Sequence, residues 1–149
     1  MHDKPPSEIV VKSWARLVRA ANQALSAIEA DLKRAGHPPL AWYDVLLELR
    51  RAGGEGLRPF ELERELLLAQ HNVSRLIDRL EAKRLVQRRP ADDDGRGQRV
   101  TVTDQGLATL ASMWPDYAAA IQRHVGAKFK DDAEAEALYR LTGKILGRV

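Results

Sequence analysis

Between Leu66 and Gly106 the hydrophobic period changes from helical to strand-like and back to helical, and few folds accommodate that order. Val73, Leu76, Ile77 and Leu80 recur at i, i+3, i+4 and i+7, which buries one face of a helix. At helical spacing His71, Arg75 and Asp78 fall on the opposite face, with Ser74 and Arg79 on its shoulders. Leu85-Val86-Gln87-Arg88-Arg89 reads as a strand stopped by Pro90. The run Asp92-Asp93-Asp94-Gly95-Arg96-Gly97 then reverses the chain, and Gln98-Arg99-Val100-Thr101-Val102 alternates polar and apolar residues as the return strand.

A polar-faced helix followed by a basic-tipped hairpin outlines a winged helix. Charge agrees with that outline. From Gln70 to Val100 there are eight Lys/Arg and five Asp/Glu, a surplus of three that equals the formal charge of the whole chain, +3. Cationic excess gathered on one module is the footprint of a phosphate-binding surface. A surplus of this size fits a solvated helix face and an ordinary polar hairpin equally well, so charge alone does not decide the function.

The wing segment Asp94-Gly95-Arg96-Gly97-Gln98-Arg99-Val100-Thr101-Val102-Thr103-Asp104-Gln105-Gly106 resembles the signature D-x-R-x-x-x-V-x-[LV]-T-x-x-G of MarR-type transcriptional regulators. Asn72-Val73-Ser74-Arg75-Leu76-Ile77-Asp78-Arg79-Leu80-Glu81 is similar to the recognition helix of that family. The likeness runs from Trp42-Tyr43-Asp44-Val45-Leu46 to Met113-Trp114-Pro115 and fades toward both ends. It departs at Ala69, where such sequences often place a Ser N-cap; Ala accepts no amide bond, at a cost of about 1 kcal/mol, and the start of the helix stays open. The resemblance implies a mainly α fold with a small β-hairpin wing, a winged helix-turn-helix made dimeric by long N- and C-terminal helices. It also implies a small aromatic or anionic effector bound between those helices and the DNA-binding lobe. The family's peroxide sensors work through Cys, and this chain has none.

Residues 1–149 are expected to form one protomer. Ser7 caps a first helix striped by Trp14, Leu17, Val18, Ala21, Leu25, Ile28 and Leu32, ended by Gly36-His37-Pro38-Pro39. Trp42, Val45, Leu46 and Leu49 mark a second helix closed by Ala52-Gly53-Gly54. Leu57-Arg58 adds a very short strand, and Pro59 opens a third helix that runs to Leu66, Leu67 or Leu68. Thr103 caps a long helix kinked at Pro115, and Asp131 caps the last, which carries Leu138, Leu141 and Ile145. Residues 7–35 and 104–149 are read as mainly dimerisation helices, because one small lobe cannot cover their apolar stripes, and 40–103 as the winged-helix lobe. No apolar run reaches the ~18 residues a membrane span needs, and no signal-peptide core is present, so a cytoplasmic protein without membrane contact is expected.

The expected function is a DNA-binding regulator, a repressor relieved by its effector, that acts as a homodimer on a pseudo-palindromic operator in double-stranded DNA. Arg96 between two glycines suits minor-groove insertion. Gln70, His71, Asn72, Ser74, Arg75 and Arg79 are candidates for major-groove and phosphate contacts, joined by Arg88, Gln98 and Arg99 from the hairpin. Asp78 reads as a partner for an arginine. Trp14, His37, Trp42, Asp44, Leu46, Met113 and Trp114 are candidates for the effector site, with plain core packing, or an Asp44 bond to a backbone amide, as the competing readings. The Asp triplet lacks EF-hand spacing and the four histidines lack zinc spacing, so no metal or cofactor is expected. No nucleophile or acid–base set points to an enzyme. The rival function is a winged-helix module that binds protein and not DNA.

Overall fold

The computed structural model describes residues 3–90 and 97–148. Asp92, Asp93, Asp94, Gly95 and Arg96, and with them the expected reversal and its minor-groove arginine, lie outside the described residues, as does His2. Helices α1 (Glu8–Arg34), α2 (Leu40–Ala52), α3 (Pro59–Glu65) and α4 (Val73–Ala82) precede strands β1 (Val86–Pro90) and β2 (Gln98–Val102). Helices α5 (Asp104–His124) and α6 (Asp132–Leu146) follow. The architecture is mostly helical with one antiparallel hairpin, as expected, and α5 is continuous across Pro115.

The chain divides into two compact units. The unit Leu32–Asp116 holds the hairpin and α4, and is wider at both ends than the 40–103 span expected. Its core is built from α2 (Leu40, Val45, Leu46, Leu49), α3 (Leu62), α4 (Leu76, Ile77, Leu80) and the hairpin (Val86, Val100), with Leu110 and Met113 from α5. Val86 pairs with Val102 and Arg88 with Val100, so the apolar side chains share the inner face of the hairpin. Leu57 contributes a single bridge to Val100, with N–H···O bonds of 3.0 and 2.8 Å in both directions, which is the short strand reduced to one residue pair.

The unit 1–31 with 117–149 carries little core of its own. In it α6 has no buried residue, while Ile9, Val10, Val11 and Trp14 on α1 and Leu138, Leu141, Ile145 and Leu146 on α6 are exposed. Its one ionic cluster ties α5 to α1: Asp31 Oδ2 lies 2.8 Å from His124 Nε2 and also bonds Arg123. The His124 bond, aided by Arg123 and opposed by burial, holds the Asp31 carboxyl below its usual range. A depressed carboxylate supports the fold above its unfolded pKa and loses that support as pH falls through the folded value.

Cap chemistry sets the element boundaries largely as read. Ser7 Oγ accepts from Val10 N at 3.4 Å, and Asp131 Oδ1 accepts from Glu134 N at 3.1 Å. At the C-terminus of α1, Gly36 N bonds Lys33 O and His37 N bonds Leu32 O, a Schellman pair whose C′ residue has φ +82°. The C-terminus of α4 closes the same way, through Arg84 N to Glu81 O and Leu85 N to Leu80 O. There the left-handed residue is Arg84, φ +61°, where a side chain costs about 1 kcal/mol that glycine avoids.

Candidate nucleic-acid interface

Helix α4 presents its face by burying the other one. Val73, Leu76, Ile77 and Leu80 are inside, and Ser74, Arg75, Asp78 and Arg79 are exposed. Its N-cap is Asn72, whose Oδ1 accepts the Arg75 backbone N–H at 3.0 Å. Asn72 therefore takes the capping role for which Ala69 is unfit, and Gln70 and His71 lie before the helix. The expectation that His71 sits on the outer helical face is corrected accordingly; it is exposed in the connection from α3, which ends at Glu65.

That connection is held by Asp44. The side chain is buried on α2, and its two oxygens accept from Leu67 N at 3.0 Å and Leu68 N at 2.8 Å. A carboxylate that receives two adjacent amides fixes the chain between the two helices of the motif. Asp44 is thus a positioning group for α4, and its place among effector ligands is corrected, because both oxygens are already engaged.

Arg88 is engaged in the same sense. Its guanidinium reaches from β1 to α4, with Nη1 2.8 Å from Glu81 Oε1 and Nη2 2.6 Å from Asp78 Oδ1; the Arg88 backbone N–H donates to Glu81 Oε2 at 3.1 Å. Burial pulls its pKa down, yet the bonds to Asp78 and Glu81 outweigh that and hold it above the ordinary arginine value. The structure assigns Arg88 to hold the hairpin against α4, which corrects its reading as a DNA contact, and Asp78 is the arginine partner expected. Arg75 and Arg79 make no ion pair with any described residue, nor do Arg89 and Arg99 on the hairpin. Gln98 is exposed and Arg99 half-buried.

A second latch joins the other end of α4 to α5. Thr103 Oγ1 donates to Arg84 O at 2.7 Å and accepts from Gly106 N at 3.0 Å, while Thr103 N donates to Leu85 O at 3.1 Å. A Cβ on Gly106 would stand 2.2 Å from Leu85 O and 2.7 Å from Val102 Cγ2. The T-x-x-G spacing thus has a physical basis: the Thr caps α5, and the absent side chain lets α5 approach the turn that ends α4.

Among the effector candidates, Leu46 and Met113 are fully buried core residues and are corrected to packing. Trp114, half exposed, stacks on Tyr43 at 6.4 Å between ring centroids and 25° between planes. His37 Nε2 lies 2.6 Å from Asp116 Oδ2, and Trp42 is half-buried. Trp14 is 65% exposed in the other unit.

Residues 31–97 match the model of the MarR family. An uncharacterized HTH-type transcriptional regulator of Bacillus cereus is 30% identical over 136 residues, which cover 89% of this chain and 85% of that protein. The chain belongs to the MarR family. MarR proteins are transcriptional regulators that bind DNA, and not enzymes, which agrees with the bare chemistry of the site. The same fold is present in the MarR-family regulator Sco3205 of Streptomyces coelicolor, solved in complex with DNA (TM-score 0.83, 22% identity, 97% and 91% of the two chains). It is also present in BpsR of Bordetella bronchiseptica, whose DNA binding is regulated by 6-hydroxynicotinic acid (TM-score 0.79, 23% identity, 95% and 97%). No helix of the described residues is long and apolar enough to cross a membrane.

Proposed function

We propose that this MarR protein is a homodimeric repressor that covers a pseudo-palindromic operator and leaves it when a small aromatic acid binds. The observation that carries the DNA assignment is the outer face of α4, where Arg75 and Arg79 are exposed and unpaired beside Asn72 and Ser74, while the hairpin arginine nearest the helix is neutralised internally. Arg96, between its glycines, is the proposed minor-groove residue on sequence grounds. Purified protein should enrich a two-fold-related motif from random DNA. On that fragment Arg75→Ala and Arg79→Ala should each cost about tenfold or more in affinity. An alanine pair that binds like wild type removes α4 from the interface.

The dimer is supported by the exposed stripes of α1 and α6, each of whose Val, Leu or Ile side chains gains about 1.5–3 kcal/mol when buried. Deletion of residues 131–149 should give monomer or insoluble protein in sedimentation; a stable truncated dimer would place the interface elsewhere. The effector reading is supported by the Tyr43–Trp114 stack, the adjacent His37 and the regulation of BpsR by an aromatic acid. Its test is tryptophan fluorescence and DNA release on titration with aromatic carboxylic acids. Release requires tighter binding to the form that does not fit DNA.

A further inference from the structure

The register of the hairpin places Arg89 directly opposite Arg99. Residues so paired share one face of the sheet, here the outer one, since Val86 and Val100 face the core. Like charges at that separation destabilise a hairpin, and most chains avoid the pairing. Both side chains line an open groove of about 720 Å³ with Gln87, Gly54 and Glu55. Neither arginine forms an ion pair with Glu55 or any other described residue, so one carboxylate faces two guanidinium groups and the groove is left cationic.

Two unpaired guanidinium forks facing one open groove suit a tetrahedral oxyanion with several acceptor oxygens. We propose that this groove holds a backbone phosphate of DNA that flanks the half-site, gripped by Arg89 and Arg99, and so lengthens the contacted DNA without reading its sequence. DNA is the source favoured over a free phosphate because the groove lies on the same hairpin whose inner face Arg88 fastens to α4. The proposal rests on the DNA-binding reading above. A bound phosphodiester would also offset the repulsion that the free protein carries between the two strands.

The test crosses two proteins with two duplexes. Wild type and Arg89→Ala are titrated with a duplex that ends at the half-sites and with one extended by about half a helical turn, five base pairs, on each side. Arg89→Ala should lose about tenfold affinity on the extended duplex and little on the short one, whatever the flanking sequence. Its salt slope on the extended duplex should be shallower by about one per protomer, and the free variant should melt at or above the wild-type temperature. A loss equal on both duplexes, no loss on either, or a loss that follows the flanking sequence overturns the proposal alone. Millimolar inorganic phosphate that stabilises wild type but not Arg89→Ala, without any effect of duplex length, makes the groove a small-anion site and overturns it too. Wild-type protein that binds neither duplex overturns the DNA reading and this proposal with it.

Discussion

Asp44→Ala should destabilise the protein by about 3 kcal/mol and remove operator binding even at temperatures where the variant stays folded. The carboxylate receives the amides of Leu67 and Leu68 at 3.0 and 2.8 Å, and it does so from inside the core. Each amide left without a partner costs about 1–3 kcal/mol, less where water reaches it. Leu67 is exposed and Leu68 half-buried, so the lower half of that range applies to each, and the emptied volume adds to it. Asp44→Asn keeps one acceptor oxygen and turns an N–H toward the other amide, so its cost should be intermediate. Thermal melts of the three proteins, with DNA titrations below the lowest transition, measure both effects. A Tm within about 2 °C of wild type for Asp44→Ala would mean that the connection holds itself.

Gly106→Ala sets two effects against each other. Alanine improves on glycine in a helix by about 1 kcal/mol. Its Cβ would stand 2.2 Å from Leu85 O, a carbonyl already bonded to Thr103 N, and 2.7 Å from Val102 Cγ2. Backbone on one side and a core valine on the other leave no room to yield, and overpacking of that severity costs about 3 kcal/mol. Sterics win, with a net loss of about 2 kcal/mol and a fall in Tm of about 4–8 °C. A variant as stable as wild type would show that α5 need not approach the turn after α4 so closely.

Most elements were legible because each announces itself locally: periodicity gave the helices, alternation the strands, and Ser7, Thr103 and Asp131 the starts. What stayed hidden depends on groups distant in the chain. The start of α4 turns on Asp44 holding Leu67 and Leu68, and no local pattern shows that a side chain on α2 reaches the segment after α3. Arg88 looked like any exposed hairpin arginine because the sequence does not show that β1 lies beside Asp78 and Glu81. Arg89 was passed over for the complementary reason; its meaning appears only when the register sets it against Arg99. Leu46 and Met113 matched the family's effector segments by position, but burial assigns them to the core. The T-x-x-G signature was visible, and its cause, a carbonyl 2.2 Å from a missing Cβ, was not.

The central claim is that the unpaired arginines of α4 and the hairpin neutralise DNA phosphates, and the dependence of affinity on salt tests it most directly. Four such residues per protomer, Arg75, Arg79, Arg89 and Arg99, make eight in a dimer. Full neutralisation gives a slope of log K against log salt near −7, and partial use, with some arginines reading bases, about −4. The measurement is the affinity of the wild-type protein for its selected fragment from about 50 to 200 mM salt, the range over which phosphate-driven binding weakens steeply. A slope of about −4 or steeper is predicted. Binding that changes little across that range, with a slope of about −1 or shallower, would contradict the account and favour a surface made for protein.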